Sequence, residues 1–160
     1  MTRVLAPAFM ALAVTLVAGC GFEPVYRGDV AGEAGPVAVP TISGRTGHVL
    51  RKALLQETRI GLPGTEGQTS IDVDLQERIN RLAFRADGAA ARSSIRLQAR
   101  YSLIHDGEPV IGRAESEIYY FVPNAVFGDI SAQTNASRQA AEELARRIVE
   151  DLRLQLAEPA

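Results

Sequence analysis

The reactive side chains of this chain reduce to one thiol and one cluster of guanidinium groups. Cys20 is the only cysteine. It closes the run Val17-Ala18-Gly19-Cys20, which follows an almost wholly apolar stretch from Val4 to Val17, with Arg3 ahead of it. Such a stretch is too short to cross a bilayer comfortably, and it has the flanks of a secretory signal. The small residues at 18 and 19 offer a peptidase an accessible, extended backbone. The thiol is the atom that accepts a diacylglyceryl group. The spacing predicts a bacterial lipoprotein signal over residues 1–19; the competing reading is an ordinary secretory signal with an incidental cysteine behind it. In the lipoprotein reading the mature chain begins at Cys20 and carries N-acyl and S-diacylglycerol lipid there. Each buried methylene contributes roughly 0.8 kcal/mol, so two or more acyl chains hold a protein on a membrane. No cofactor beyond this covalent lipid is expected. Gly21 stands where an aspartate would signal retention in the inner membrane, so the outer membrane, on its periplasmic side, is the expected location.

The guanidinium groups are Arg78, Arg81, Arg85, Arg92, Arg96 and Arg100, opposed locally by Glu77 and Asp87 alone. Arginine makes bidentate contacts with phosphate and carboxylate. A hairpin bearing this set has the chemistry to hold an anionic lipid head group; the plainer reading is a solvated sheet face. Other chemistry finds no footing. His48 and His105 are far apart and lack ligand spacing. The carboxylate pairs Asp72/Asp74 and Glu115/Glu117 sit two apart on strands, a spacing common on wet sheet faces. No metal pattern, phosphate-cradling glycine loop or nucleophile elbow occurs, so no catalytic residue and no enzyme activity are expected.

The elements that must position these arginines follow from periodicity. Pro36 to Ser43 reads as a first strand, kept at a sheet edge by Pro40. Thr46 to Thr58 carries a helical stripe of Val49, Leu50, Ala53 and Leu54. Gly61, Pro63, Gly64 and Gly67 mark a loop. In Ser70 to Phe84, Ile71, Val73 and Leu75 alternate with Asp72, Asp74 and Gln76. The apolar phase then moves from Ile79 to Leu82 and Phe84, which predicts a bulge near residues 78–81. Asp87-Gly88 and Asp106-Gly107 are tight-turn pairs. Ser93 to Ile104 and Val110 to Val122 are the strands they connect, the last ending in Tyr119-Tyr120-Phe121. Pro123 to Gln133 reads as a loop. A final helix, capped by Asn135 or Ser137, runs to about Leu156 with Ala141, Leu144, Ile148 and Leu152 on its buried face.

Three strands joined by short turns make an antiparallel meander. The prediction is an α+β, two-layer fold of order β-α-β-β-β-α: a four-stranded, mostly antiparallel sheet with both helices on one face. The charged alternate positions leave the other face uncovered. Residues 1–19 are the signal, 20–35 a lipidated tether rich in glycine, proline and alanine, and 36–160 a single domain. Loss of the signal from 160 residues leaves 141, with 16 basic and 19 acidic side chains, a formal charge of −3. That balance argues against nucleic acid as a partner. With no second cysteine, the core rests on packing alone.

The Gly21-Phe22-Glu23-Pro24-Val25-Tyr26 segment just after Cys20 is similar to that of the LPS-assembly lipoproteins. The hairpin Leu103-Ile104-His105-Asp106-Gly107-Glu108-Pro109-Val110, the element order and the final helix also match. The chain resembles that LptE-like family over nearly its whole length. The resemblance implies an outer-membrane lipoprotein that plugs the LPS-transport β-barrel, helps it assemble and binds lipopolysaccharide (LPS) on its way to the cell surface. It implies LPS binding through basic residues of the sheet and its loops. Carried over by type, these are Arg85 and Arg92 beside the Asp87-Gly88 turn, then Arg81 and Arg96. The alternative is an accessory lipoprotein of another envelope lipid-transport complex.

Overall fold

A computed structural model describes residues 35–157, apart from 66, 106–108 and 125. The expected signal, Cys20, the tether up to residue 34 and the Asp106-Gly107 turn lie outside the described residues. The elements are β1 (Val37–Ala38), α1 (Gly44–Glu57), β2 (Thr69–Phe84), β3 (Ala90–Ile104), β4 (Val110–Phe121) and α2 (Val126–Ala157). The strands form one sheet in the order β1-β2-β3-β4. β1 runs parallel to β2, and the other two pairings are antiparallel. This is the α+β order predicted from periodicity.

Strand alternation divides the sheet into a dry and a wet face. On the dry face Ile71 of β2 and Ile95, Leu97 and Leu103 of β3 are fully buried. They pack with Leu50 and Leu54 of α1 and with Leu144, Ile148 and Leu152 of α2 in one core. Glu77, on the same face of β2, shows that both helices lie on this side. Its carboxylate accepts from Thr46 Oγ1 of α1 at 2.8 Å and from Ser137 Oγ of α2 at 3.0 Å. Glu77→Ala releases both hydroxyls at once. The expected loss is about 1–2 kcal/mol, read as a lower urea midpoint with helix content intact; an unchanged midpoint would mean that water replaces the carboxylate at no cost.

Two expectations from sequence need correction. The first strand is two residues long, not eight. Pro36 and Pro40 bracket it and cannot donate to a ladder. Val39 and Ile42 leave the sheet and are buried in the core beneath α1 instead. The last helix begins at Val126, so much of the predicted 123–133 loop is helical. Its first turns expose Phe127 and Ile130. They therefore lack the buried stripe by which a helix is recognised, and Gly128 weakens local propensity further. The slip in β2 falls at the end of the expected window: the register with β3 shifts between Arg81 and Ala83 and again between Ala83 and Phe84.

A second tie crosses the layers near the other end of the sheet. Tyr101 of β3 is 2% exposed, and its hydroxyl donates to Asp151 of α2. Gln155 Nε2 donates to the same carboxylate at 2.9 Å. Gly112 of β4 lies directly opposite Tyr101, and a Cβ there would fall on the tyrosine ring and hydroxyl. At the outer border of the sheet, Arg147 of α2 reaches over β4 and donates to the Glu115 carbonyl at 2.8 Å.

Candidate functional site

The wet face of the sheet is built in cross-strand rows. Asp74, Arg100 and Arg113 form one row, Gln76, Gln98 and Glu115 the next, and Arg78, Arg96 and Glu117 a third. Charges of both signs are interspersed, and no helix among the described residues covers them. Arg96 pairs with Glu117 at 2.8 Å, and Ser94 Oγ donates to the same carboxylate at 2.6 Å. The Ser94 bond first, then the Arg96 guanidinium, hold the Glu117 carboxyl below its ordinary range. Arg96 is held correspondingly more firmly protonated by Glu117. Arg100 and Arg113 face each other across β3 and β4. Like charges in that relation repel, and the two line a shallow hollow of about 350 Å³ with Asp74 and Glu115.

The β2–β3 hairpin forms one end of the sheet. Gly88 takes φ +79° there, the left-handed region that a side chain would disfavour. Asp87 Oδ1 accepts from Ala89 N at 3.0 Å, and Arg85 N donates to Ala89 O at 2.8 Å. This closes the predicted Asp87-Gly88 turn. Arg85 bends back and donates from Nη2 to the Val122 carbonyl, just beyond β4. Arg92 lies over the Phe121 ring, 5.2 Å from its centroid, a cation–π geometry.

The four predicted arginines therefore come to the hairpin half of the sheet but not to one face. Arg81 pairs with Ser93, whose side chain is buried on the helix side. Arg81 and Arg85 share a hollow of about 900 Å³ with Ile79, Phe84, Tyr120 and Asp129. Arg92 and Arg96 point to the wet face, and Arg96 is already neutralised by Glu117. Arg81, Arg85 and Arg92 make no ion pair among the described residues. An anion arriving at this end meets three guanidinium groups that form no ion pair among the described residues, close to Asp129 and to apolar rings. That arrangement suits a phosphorylated amphiphile: phosphate to the arginines, hydrocarbon to the rings.

Sequence reasoning did not single out the rings. Leu82, Phe84, Tyr119, Phe121, Phe127 and Ile130 all expose large apolar surface around the hairpin end. The signals were present: the phase slip in β2 and the Tyr119-Tyr120-Phe121 run. Both were read as strand features. Among the described residues no three potential metal ligands cluster, and no helix is long and apolar enough to cross a membrane. His48 is exposed on α1.

The fold is shared with chains of solved structure. One from Caulobacter crescentus, described as a putative lipoprotein, is 24% identical over 81% of this chain and 97% of its own, with a TM-score of 0.65. Rare lipoprotein B of Shewanella oneidensis is 10% identical over 74% of this chain and 92% of its own, with a TM-score of 0.55. No curated protein matches the chain in sequence. The family described as LptE, lipopolysaccharide-assembly, matches residues 34–156, which takes in both helices, the whole sheet and the hairpin arginines. This chain belongs to the LptE lipopolysaccharide-assembly family.

Proposed function

We propose that this protein is a non-enzymatic lipoprotein of the outer membrane, anchored on its periplasmic side through acylated Cys20. It plugs and helps assemble the LPS-transport β-barrel and binds lipopolysaccharide during delivery to the cell surface. The observation that carries the reading, beside family membership, is the division of the sheet. One face is sealed by two helices into a core. The other presents charges of both signs, the surface that a polar, water-filled barrel lumen accepts. At the hairpin end, Arg81, Arg85 and Arg92 supply the cations for phosphate groups, with Arg96 behind them.

Affinity purification of the full lipidated chain from solubilised envelopes tests this reading. The expected result is a barrel protein that stays bound through mild detergent, together with an acylated N-terminal peptide by mass spectrometry. A protein that always isolates alone would count against this reading, and binding of phospholipid but not LPS would transfer the assignment to an accessory subunit of another envelope lipid-transport complex.

A further inference from the structure

β2 has β3 along the whole of one side and almost nothing along the other. β1 accompanies it only at Thr69 and Ser70. Pro40 cannot extend that ladder, and the chain leaves for the core at Ile42. Beyond Asp74, no strand among the described residues lies on the outer edge of β2. The β4 edge is crossed by Arg147, bonded to the Glu115 carbonyl. No side chain among the described residues bonds to the main chain of β2 in that way. The middle of this edge is exposed, and Ile79 has 47% of its surface open although it faces the helix side. A long open row of main-chain donors and acceptors is a template for another strand.

We infer that the free protein pairs with a second copy of itself along this edge, strand antiparallel to strand, about a two-fold axis at Ile79. Three observations select a second copy as the occupant. First, a row of main-chain groups is satisfied in full by the edge of another strand. A closed barrel wall has no edge to offer, so a barrel around the domain leaves this row unanswered. Second, the side chains are complementary to themselves. With Ile79 on the axis, Glu77 of each copy lies opposite Arg81 of the other on the helix side, and Arg78 lies opposite Asn80 on the wet face. Neither Glu77 nor Arg81 has an ion pair among the described residues. Opposite charges across a ladder attract and like charges repel. Neighbouring registers fail on this count: an axis at Arg78 sets that guanidinium against its own copy, and an axis at Glu77 does the same to the carboxylate. Third, the pairing closes. A two-fold axis uses each open edge once and leaves the two β4 edges outermost, each crossed by Arg147. The paired edges are short, so the interface falls below the roughly 800 Å² per partner of a standard complex. Two copies held on one membrane meet at a raised effective concentration, which offsets that deficit. The inference rests on the proposed anchor at Cys20 and requires neither LPS nor a barrel.

Disulfide trapping tests it. Cys20 is the only cysteine, so once it is acylated an Ile79→Cys variant carries a single free thiol. Directly opposed Cα atoms of an antiparallel ladder lie about 4.5–5.5 Å apart, within reach of a disulfide. Asp74→Cys is the control. It is exposed on the same strand, and the same axis sets its two copies about 33 Å apart. Both variants are made in the full lipidated chain, with acylation checked by the mass of the N-terminal peptide. They are reconstituted at low density in phosphatidylcholine vesicles free of LPS and barrel protein, and oxidised with copper phenanthroline. Ile79→Cys is expected to give at least about tenfold more linked dimer than Asp74→Cys, because only its thiols come within disulfide reach. Adding Arg81→Glu to Ile79→Cys sets carboxylate against carboxylate and is expected to bring the yield down to that of the control. Absence of linked dimer at position 79 overturns the inference. Equal yields at 79 and 74 also overturn it, because collision on the membrane would then account for both. A yield at 79 that ignores Arg81→Glu overturns the register, and with it the selection of a second copy. A bare Cys20 in the mass spectrum would be the failure of the proposed anchor, read separately from the trapping.

Discussion

A Gly112→Val variant is expected to lose about 3 kcal/mol or more of folding stability and to shift its urea midpoint accordingly. Overpacking a close-packed interior forces side chains off their rotamers and typically costs about 1–3 kcal/mol, occasionally more. The site has little room to relax. The Tyr101 ring lies where the new side chain must go. It cannot swing away without giving up its bond to Asp151 and its place in the core. The tyrosine also carries a pH signature. Burial first, then the bond to Asp151, push the Tyr101 hydroxyl pKa well above its ordinary value of 10.0. The folded-state value is the higher one, so this contribution to stability is complete below pH 10. Above that the unfolded chain releases the proton first, and the contribution is lost as pH rises. Tyr101→Phe is expected to cost about 1–2 kcal/mol at neutral pH and to flatten the fall in stability above pH 10. A Gly112→Val protein with the parent midpoint would show that the ring does not lie across the glycine.

Reversing charge at Arg85 and Arg92 together is expected to weaken LPS binding about 100-fold or more and to leave barrel association intact. Hydrogen bonds to charged groups contribute about 1.5–3 kcal/mol each, and two lost contacts with phosphate reach that factor. The geometry makes these two the sensitive pair. Arg92 is held over Phe121 and Arg85 against the Val122 carbonyl, so each is positioned without being neutralised. Arg96→Glu is the informative control. Its guanidinium is already paired with Glu117, and its reversal is expected to change binding much less. The measurement is equilibrium binding of purified LPS to the full chain, beside copurification of the barrel. Unchanged binding in the double variant would return both arginines to a solubilising role.

Much of this arrangement was legible in the amino-acid order, and the exceptions share a cause. Ile71, Val73 and Leu75 against Asp72, Asp74 and Gln76 state both the strand and its two faces. Ala141, Leu144, Ile148 and Leu152 do the same for the core half of α2. These segments are patterned because one side of each is buried. The first turns of α2 bury little, so no pattern announced them, and residues 123–133 read as a loop. β1 was overestimated for the opposite reason: Val39 and Ile42 are apolar because the core takes them, outside any ladder. At the site, residue type was readable and placement was not. Arg81 and Arg92 look equivalent in sequence, yet strand pairing puts them on opposite faces. The Arg96–Glu117 pair joins residues 21 positions apart, and nothing local reveals it.

β4 is the last strand of the sheet, and twelve residues of it run along an open margin. Such a margin is a template on which other chains can extend into fibres. The Arg147 side chain laid over its midpoint, bonded to Glu115, interrupts that template where a newcomer would need the longest continuous run. The fold thereby carries its own guard against clumping, at the expense of a single side chain.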